Sequence, residues 1–196
     1  MNIPDEATIR EYYDLRQQLA TYTADMRSVV NHPNYSLPFI NPGRLVQVKY
    51  MDYDFGWGVV VNHQRRKSPK NAPEEYVPQE SWIVDILLNV AEDSSITSKG
   101  NQPLPPGVHP PQNGEKPRAE VVPVLLSCVH TISLARIGVP KDLKSTDSKK
   151  SLQRALAEVQ RRFPDGLALL DPIEHMGIKD DSFKRLLRVR KAANPL

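Results

Sequence analysis

A long amphipathic stretch at the N-terminus sets the first limit on how this chain can fold. Residues 5–31 are predicted to form a single helix, which Pro33 ends. Along it, apolar and aromatic side chains recur at alternating spacings of three and four residues, at Tyr12, Leu15, Leu19, Tyr22, Met26 and Val29. This spacing is typical of a coiled coil or an antiparallel helix pair, so the helix needs a partner.

The C-terminal residues supply a candidate partner helix. Within 180–191, Phe183 and Leu187 lie at helical spacing, and the acidic run at 180–182 favours a helix start. The two ends of the chain would then lie side by side, with everything between them projecting outward. That geometry is typical of an insertion in a larger protein.

The middle of the chain contains short stretches typical of β-strands. Strands are predicted over 44–50, 56–62, 81–91, 119–126 and 127–137. Asp52 and Asp54 predict a connecting turn over 51–55, and Pro123 predicts that the fourth strand lies at a sheet edge or a bulge. Five short strands within about 95 residues indicate a small β-barrel, and the helices make the fold class α+β.

One further helix and two loops complete the predicted elements. Residues 148–163 are predicted to be a helix capped by Asp147, with one apolar stripe at Leu152, Leu156, Val159 and Phe163. The loop 64–78 is polar and charged. Residues 92–118 contain six prolines and few apolar groups, so we expect this segment to be mobile or draped over the surface.

The sequence contains no arrangement of residues that is typical of a catalytic site. The 196 residues carry a net charge of +3, which permits RNA binding without requiring it. There is no phosphate-binding Gly-Lys-Ser/Thr loop, the five histidines are scattered, and the single cysteine, Cys128, is predicted to be buried. We therefore expect no enzymatic activity, no metal and no cofactor. No run of 18 apolar residues occurs, so we expect no membrane association through a spanning helix.

Two positions are candidates for a binding surface. Arg44 follows a turn at 41–43, and its planar guanidinium is either an anchor for a carboxylate of a bound peptide or an exposed arginine with no role. Trp57 stands between Gly56 and Gly58, where glycine permits close approach of another backbone. Trp57 is therefore either a plug of the barrel or part of a surface groove.

Two groups of basic residues are candidates for contacts with RNA phosphates. One lies in the first loop and one on a single face of the predicted helix 148–163; they are Arg65, Arg66 and Lys67, and Lys150, Arg154 and Arg161. Such runs are often simply solvated, and no aromatic residues alternate with them, so base stacking is not indicated.

Several motifs together resemble one family. Residues 34–46 (NYSLPFINPGRLV), 55–60 (FGWGVV), 161–166 (RRFPDG) and 170–173 (LDPI) occur in this order. They resemble the arch of the superkiller-like DExH helicase of the nuclear exosome and the TRAMP complex, or of its clock-associated fungal relative. The ATPase motifs of that helicase are absent from the chain.

The resemblance implies an architecture. It implies a KOW/SH3-like β-barrel with flanking helices, carried on antiparallel stalk helix segments. The stalk helix would occupy 1–33, the barrel with its inserted loops and packed helix 34–178, and the returning stalk helix 179–196.

The resemblance also implies a function. In the family, the barrel docks short motifs of RNA-processing and ribosome-biogenesis adaptors, which carry a Leu-Phe pair and an acidic residue, and it contacts structured RNA. Arg44 would bind the acidic residue, beside Phe39, Leu45, Phe55 and Trp57. The location would be the nucleus and nucleolus, with the exosome reached through the parent helicase and ATP and Mg²⁺ needed only there. A structural spacer or a ribosome-associated barrel without a peptide site is the alternative.

Overall fold

Five antiparallel strands form a single curled sheet. The structure, a computed structural model, describes residues 6–67, 77–96 and 102–193. The strands are β1 Arg44–Tyr50, β2 Tyr53–Arg65, β3 Trp82–Val90, β4 Arg118–Leu125 and β5 Val129–Arg136, in the order β4-β3-β2-β1-β5. Only a 3₁₀ turn, Leu126–Cys128, joins the two edge strands, so the sheet must curl round to bring its edges together. The predicted α+β fold with a small barrel is confirmed.

The two faces of the sheet are buried in different ways. The inner face forms the barrel core, which includes Val46, Val60 and Ile86, all fully buried. The outer face is covered by helix α3, Thr146–Arg162, whose Leu152 and Leu156 pack against Leu45, Val59 and Leu87. A regular alternation of inward and outward apolar residues, typical of β-strands, therefore serves two separate cores.

The first hairpin is tighter than the sequence suggests. The predicted turn over 51–55 was wrong, because β2 already begins at Tyr53 and pairs with Tyr50, leaving a two-residue turn. Met51 occupies that turn with a φ of 51°. The register of the β1–β2 pairing shifts by one residue after Val48, which is a β-bulge. Gly56, the partner of Val48, has a φ of 66° at this bulge.

The proline-rich segment is packed, which corrects the expectation of a mobile or draped loop. Leu104 and Val108 are 4% and 2% exposed and belong to the barrel core. The backbone carbonyl of Pro103 accepts from the amide of Leu125 at 2.8 Å, at the end of β4. Few apolar residues suffice here because the segment bonds through its backbone to the ends of the strands. Residues 97–101 lie outside the described part of the chain.

Two helices leave the barrel together. Helix α1, Glu6–Val30, and helix α4, Asp181–Ala193, meet where Met26 packs near Phe183. The Oδ1 atom of Asp180 accepts from the amide of Phe183 at 2.7 Å, which confirms the acidic helix start. Farther from the barrel the stripe of α1 is open to solvent, with Tyr12 61% exposed.

The base of α1 is fastened to the barrel by buried polar side chains. The side-chain amide of Asn31 donates to the carbonyl of Val129, and that of Gln79 donates to the carbonyl of Ser28 at 2.6 Å. Gln79 belongs to a 3₁₀ turn, Pro78–Ser81, that precedes β3. A short helix, α2 Pro33–Ser36, then leads the chain toward β1. The contact between the last turn of α1 and the barrel is therefore specified by hydrogen bonds as well as by apolar packing.

Helix α3 departs from its prediction at both ends. Its cap is Ser145, whose hydroxyl accepts from the amide of Ser148 at 3.2 Å; Asp147 lies inside the helix. Phe163 is 54% exposed, because it follows the last helical residue and leaves the apolar stripe.

Candidate functional site: an arginine pair at one end of the barrel

A glycine turn fixes the start of β1. Gly43 has a φ of 89°, and a Cβ atom on it would overlap the carbonyl oxygen of Ile137. Its amide donates to the carbonyl of Val60 at 2.8 Å, and its carbonyl accepts from the amide of Ile137 at 2.9 Å. Only glycine fits this close approach without strain, and the turn sets the position of Arg44.

The Arg44 guanidinium is held by backbone carbonyls. Nε donates to the carbonyl of Phe39 at 3.0 Å, and Nη1 donates to those of Leu134 at 2.9 Å and Ser133 at 3.4 Å. Burial lowers the pKa of Arg44, and the nearby charge of Arg136 lowers this pKa further. Arg44 thus ties the segment before β1 to β5, while its Nη2 atom makes no hydrogen bond to the described residues.

A second arginine lies directly across from the first. Arg44 and Arg136 are partners in the β1–β5 ladder, and Nη2 of Arg136 donates to the carbonyl of Pro42 at 3.1 Å. Like charges facing each other across a ladder are unfavourable. Within the described residues, no carboxylate forms an ion pair with either guanidinium. The pair therefore forms an uncompensated cationic site.

Two exposed leucines lie on β5 and on the segment that runs beside it, near the backbone carbonyls that hold Arg44. Leu134 is 41% exposed, and Leu169 is 51% exposed. The segment around Leu169 runs along β5, because Leu134 donates to the carbonyl of Ala168 at 2.8 Å and Ser133 bridges to Leu169. We call Arg44, Arg136, Leu134 and Leu169 the arginine end of the barrel.

The structure brings together only part of the predicted peptide site. Phe39 is half-buried beside Arg44. Leu45 and Phe55 are 0% and 6% exposed, which corrects their assignment to a surface pocket, since buried side chains cannot contact a partner. Trp57 is half-buried, opposite Gln47 on the face that α3 covers, so it belongs neither to the barrel interior nor to the arginine end.

Sequence reasoning missed three members of the arginine end. Arg136, Leu134 and Leu169 reach Arg44 only through the pairing of β5 with β1 and with the segment 168–170. Arg44 and Arg136 are 92 residues apart along the chain, and Ser133 and Leu169 are 36 apart. Local sequence patterns carry no information on register across such separations. The one local signal was the arginine at the next-to-last position of the fifth predicted strand, 127–137.

The basic residues predicted to contact RNA lie in two places. Arg65 ends β2, and the amide of Arg66 donates to the carbonyl of Ser81 at 2.7 Å. Lys67 is exposed just beyond them, and Lys150 and Arg154 are exposed on α3.

Arg161 on α3 is paired with a carboxylate of its own helix. Its Nε and Nη2 atoms donate to both carboxylate oxygens of Glu158 at 3.0 and 2.8 Å. These bonds, together with one from Arg162, lower the pKa of Glu158. Exposed ion pairs of this kind contribute little free energy, so the bond to Glu158 holds Arg161 only weakly.

Other site types find no support in the described part of the chain. Over residues 6–67, 77–96 and 102–193, no group of three or more histidine, cysteine, aspartate or glutamate side chains could hold a metal ion. In the same residues, no helix has the length and apolar character needed to cross a bilayer. Cys128 is 1% exposed, as predicted, and burial raises the pKa of its thiol to about 12.

The fold and this site define a small β-barrel carried on paired helices, with a pair of arginines at one end. Two family descriptions match the chain: "Exosome RNA helicase MTR4-like, stalk" over residues 1–31 and "Mtr4-like, beta-barrel domain" over residues 32–194. The chain belongs to this Mtr4-like family and comprises its stalk and barrel domains.

Related proteins match along nearly the whole chain. The chain is 46% identical to ATP-dependent RNA helicase mtr4 of Schizosaccharomyces pombe, covering 99% of this chain and 18% of that protein. It is 40% identical to Exosome RNA helicase MTR4 of Homo sapiens, covering 95% and 17%. It is 34% identical to DExH-box ATP-dependent RNA helicase DExH10 of Arabidopsis thaliana, covering 92% and 18%. The chain thus spans less than a fifth of the length of these relatives.

Proposed function

We propose that the chain is a non-catalytic docking module of an ATP-dependent RNA helicase that works with the nuclear exosome. In this proposal the arginine end binds short acidic and apolar segments of RNA-processing and ribosome-biogenesis adaptors. ATP and Mg²⁺ would act elsewhere in the longer helicase, in the nucleus and nucleolus. The names of the relatives support the helicase context. The observation that carries the docking role is the Arg44 guanidinium, fastened beside exposed leucines with no acidic partner among the described residues.

The chemistry of the arginine end suits such a ligand. A guanidinium that is already oriented loses little freedom when it binds a carboxylate, and partial burial strengthens the charge-assisted bond. Leu134 and Leu169 offer apolar area for the neighbouring side chains of the ligand. A disordered adaptor loses conformational entropy when it binds, so an affinity of about micromolar strength is expected for one motif.

The test is a charge reversal at Arg44. We expect Arg44→Glu to weaken binding of an adaptor peptide with a Leu-Phe pair and an aspartate by about 30-fold or more, because two carboxylates would then face each other. Isothermal titration measures the affinity, and circular dichroism checks the fold. Arg185→Glu, on an exposed face of α4, is the matched control.

A second variant separates docking from folding. Arg44 also bonds to three carbonyls, so its replacement could disturb the barrel. Leu169→Ser leaves both arginines in place and removes exposed apolar area; we expect it to weaken the same peptide several-fold, at about 25 cal/mol per Å² of lost contact. Unchanged affinity in both variants would refute the docking role.

RNA contact is a second candidate function, favoured by the exposure of Lys67, Lys150 and Arg154. We expect the affinity for a structured RNA to fall steeply with salt, because phosphate contacts release counterions. Reversing the charges of Lys150, Arg154 and Arg161 together should weaken binding and flatten the salt dependence. An unchanged slope would show that α3 does not contact RNA.

The alternative role is a structural spacer, or a ribosome-associated barrel, with no peptide site. The spacer would retain its fold in Arg44→Glu and would bind neither adaptor peptide nor RNA before or after the substitution. The presence of an oriented arginine beside exposed leucines favours the docking role over the spacer.

A further inference from the structure

The arginine end carries more positive charge than a single carboxylate can neutralise. Arg44 and Arg136 face each other as partners in the β1–β5 ladder, and within the described residues neither forms an ion pair. One carboxylate bound at this site would neutralise one guanidinium and leave a net charge of +1. A ligand with two negative charges would compensate both guanidinium groups.

The repulsion between the two arginines is maintained by the fold. Backbone carbonyls of Phe39, Leu134 and Pro42 accept from the two side chains at 2.9 to 3.1 Å. These bonds restrict both groups to the same end of the barrel, whereas exposed arginines without such partners would move apart. The two charges are therefore positioned before any ligand arrives.

Free donors remain on both side chains. Nε and Nη1 of Arg44 and Nη2 of Arg136 are used by the carbonyls, which leaves Nη2 of Arg44 and Nε and Nη1 of Arg136 without a hydrogen bond to the described residues. A phosphate monoester offers three acceptor oxygens and close to two negative charges at neutral pH. A carboxylate offers two oxygens and one charge.

We propose that the arginine end prefers a dianion, and that its ligand class is a phosphoserine or phosphothreonine next to apolar side chains in an adaptor segment. This inference rests on the docking function proposed above and extends it. Phosphorylation of an adaptor at the position facing the arginine pair would then strengthen docking. The contribution of Arg136 would be larger for the phosphorylated ligand than for the acidic one, since only a dianion engages both guanidinium groups.

The experiment is a titration of four peptides that differ at one position or in one added charge. Each carries the Leu-Phe pair, followed by serine, aspartate, phosphoserine or two adjacent aspartates. We expect the phosphoserine peptide to bind about tenfold more tightly than the aspartate peptide, by the strength of one additional charge-assisted hydrogen bond. The two-aspartate peptide should fall between them, and the serine peptide should be weakest.

The protein variant that completes the test is Arg136→Gln. Glutamine removes the charge and retains a donor amide on a shorter side chain. We expect it to reduce the affinity for the phosphoserine peptide about tenfold and for the aspartate peptide only two- to threefold. Arg185→Gln is the matched control and should leave all four affinities unchanged.

The possible results separate the inference from the docking function. Equal affinity for the aspartate and phosphoserine peptides, or a preference that survives in Arg136→Gln, would overturn the inference while docking stands. If no peptide binds, both fall. Displacement of the phosphoserine peptide by a structured RNA, with no preference among the peptides, would assign the arginine pair to RNA phosphates and would likewise overturn the inference.

Discussion

The two ends of β1 both expose apolar side chains, but they differ in charge and in how they are held. At its start, Arg44 is held by backbone carbonyls and faces Arg136, which forms no ion pair within the described residues. At its end, Met51 is 85% exposed, and Lys49 is neutralised by Asp54 at 2.9 Å. Exposure alone therefore does not distinguish the two ends of β1. Of these two ends, the arginine end is the one whose cations form no ion pair within the described residues.

The two ends also differ in how they use a positive φ angle. At the arginine end this conformation is taken by Gly43, which accepts it without strain. At the hairpin end it is taken by Met51, where a side chain costs about 1 kcal/mol. The positive φ angle therefore causes no backbone strain at the arginine end, whereas at the hairpin end it strains Met51.

The largest expected effect lies at the arginine end. Gly43→Ala would place a methyl group against the carbonyl of Ile137 at a φ that alanine adopts poorly. We expect a loss of about 2 to 4 kcal/mol in the free energy of unfolding, with weaker peptide binding, because the β1–β5 pairing must shift. Urea unfolding measures the loss. Gly114→Ala, at a similar φ but with open space around its Cβ, is the control and should lose less.

An intermediate effect lies near the hairpin end, at the thiol of Cys128 just before Val129, which pairs with Val48. Burial raises the pKa of this thiol to about 12, whereas an unfolded cysteine has a pKa near 8.5. Above about pH 8.5 only the unfolded chain loses the proton. The free energy of unfolding should then fall by about 1.4 kcal/mol per pH unit, to a loss of about 2 kcal/mol at pH 10.

The measurement for Cys128 compares two proteins at two pH values. Other groups also titrate between pH 7.5 and pH 10, so the quantity of interest is the difference between the wild-type protein and Cys128→Ala. The alanine variant loses packing at both pH values but lacks the thiol. Parallel losses in the two proteins would contradict the expectation.

The smallest expected effect is a gain at the hairpin tip. Met51→Gly removes a side chain from a position with positive φ in a two-residue turn, where glycine is preferred. We expect the free energy of unfolding to rise by about 0.5 to 1 kcal/mol and the affinity for adaptor peptides to stay the same. A loss of peptide affinity would show that the hairpin end takes part in docking and would remove the contrast between the two ends.

The sequence predicted the elements well because they depend on local patterns. The alternation in 44–50 and the stripe in 5–31 specify β1 and α1 almost to the residue. The candidate site was predicted only at Arg44 and Phe39, because Arg136 joins them through strand register rather than local spacing. Leu45 and Phe55 were misplaced because proximity along a strand says little about which face is covered.

The proline-rich segment also shows that local sequence does not predict which residues are buried. Its composition suggests disorder, yet Leu104 and Val108 enter the core, since their burial depends on where the ends of β3 and β4 lie. Composition measures the average content of apolar groups, and two well-placed side chains do not change it. The periodic pattern in α1 likewise predicts an apolar stripe but does not show which of its residues are covered by another element.

The fastening of α1 to the barrel has a mechanical consequence. Because Asn31 and Gln79 bond the last turn of α1 to β5 and to the turn before β3, that turn and the barrel must reorient as one rigid body. A change in barrel direction then requires bending in the outer turns of α1 or rotation of the whole helix. A spectroscopic probe beside the arginine pair would consequently report the orientation of the last turn of α1.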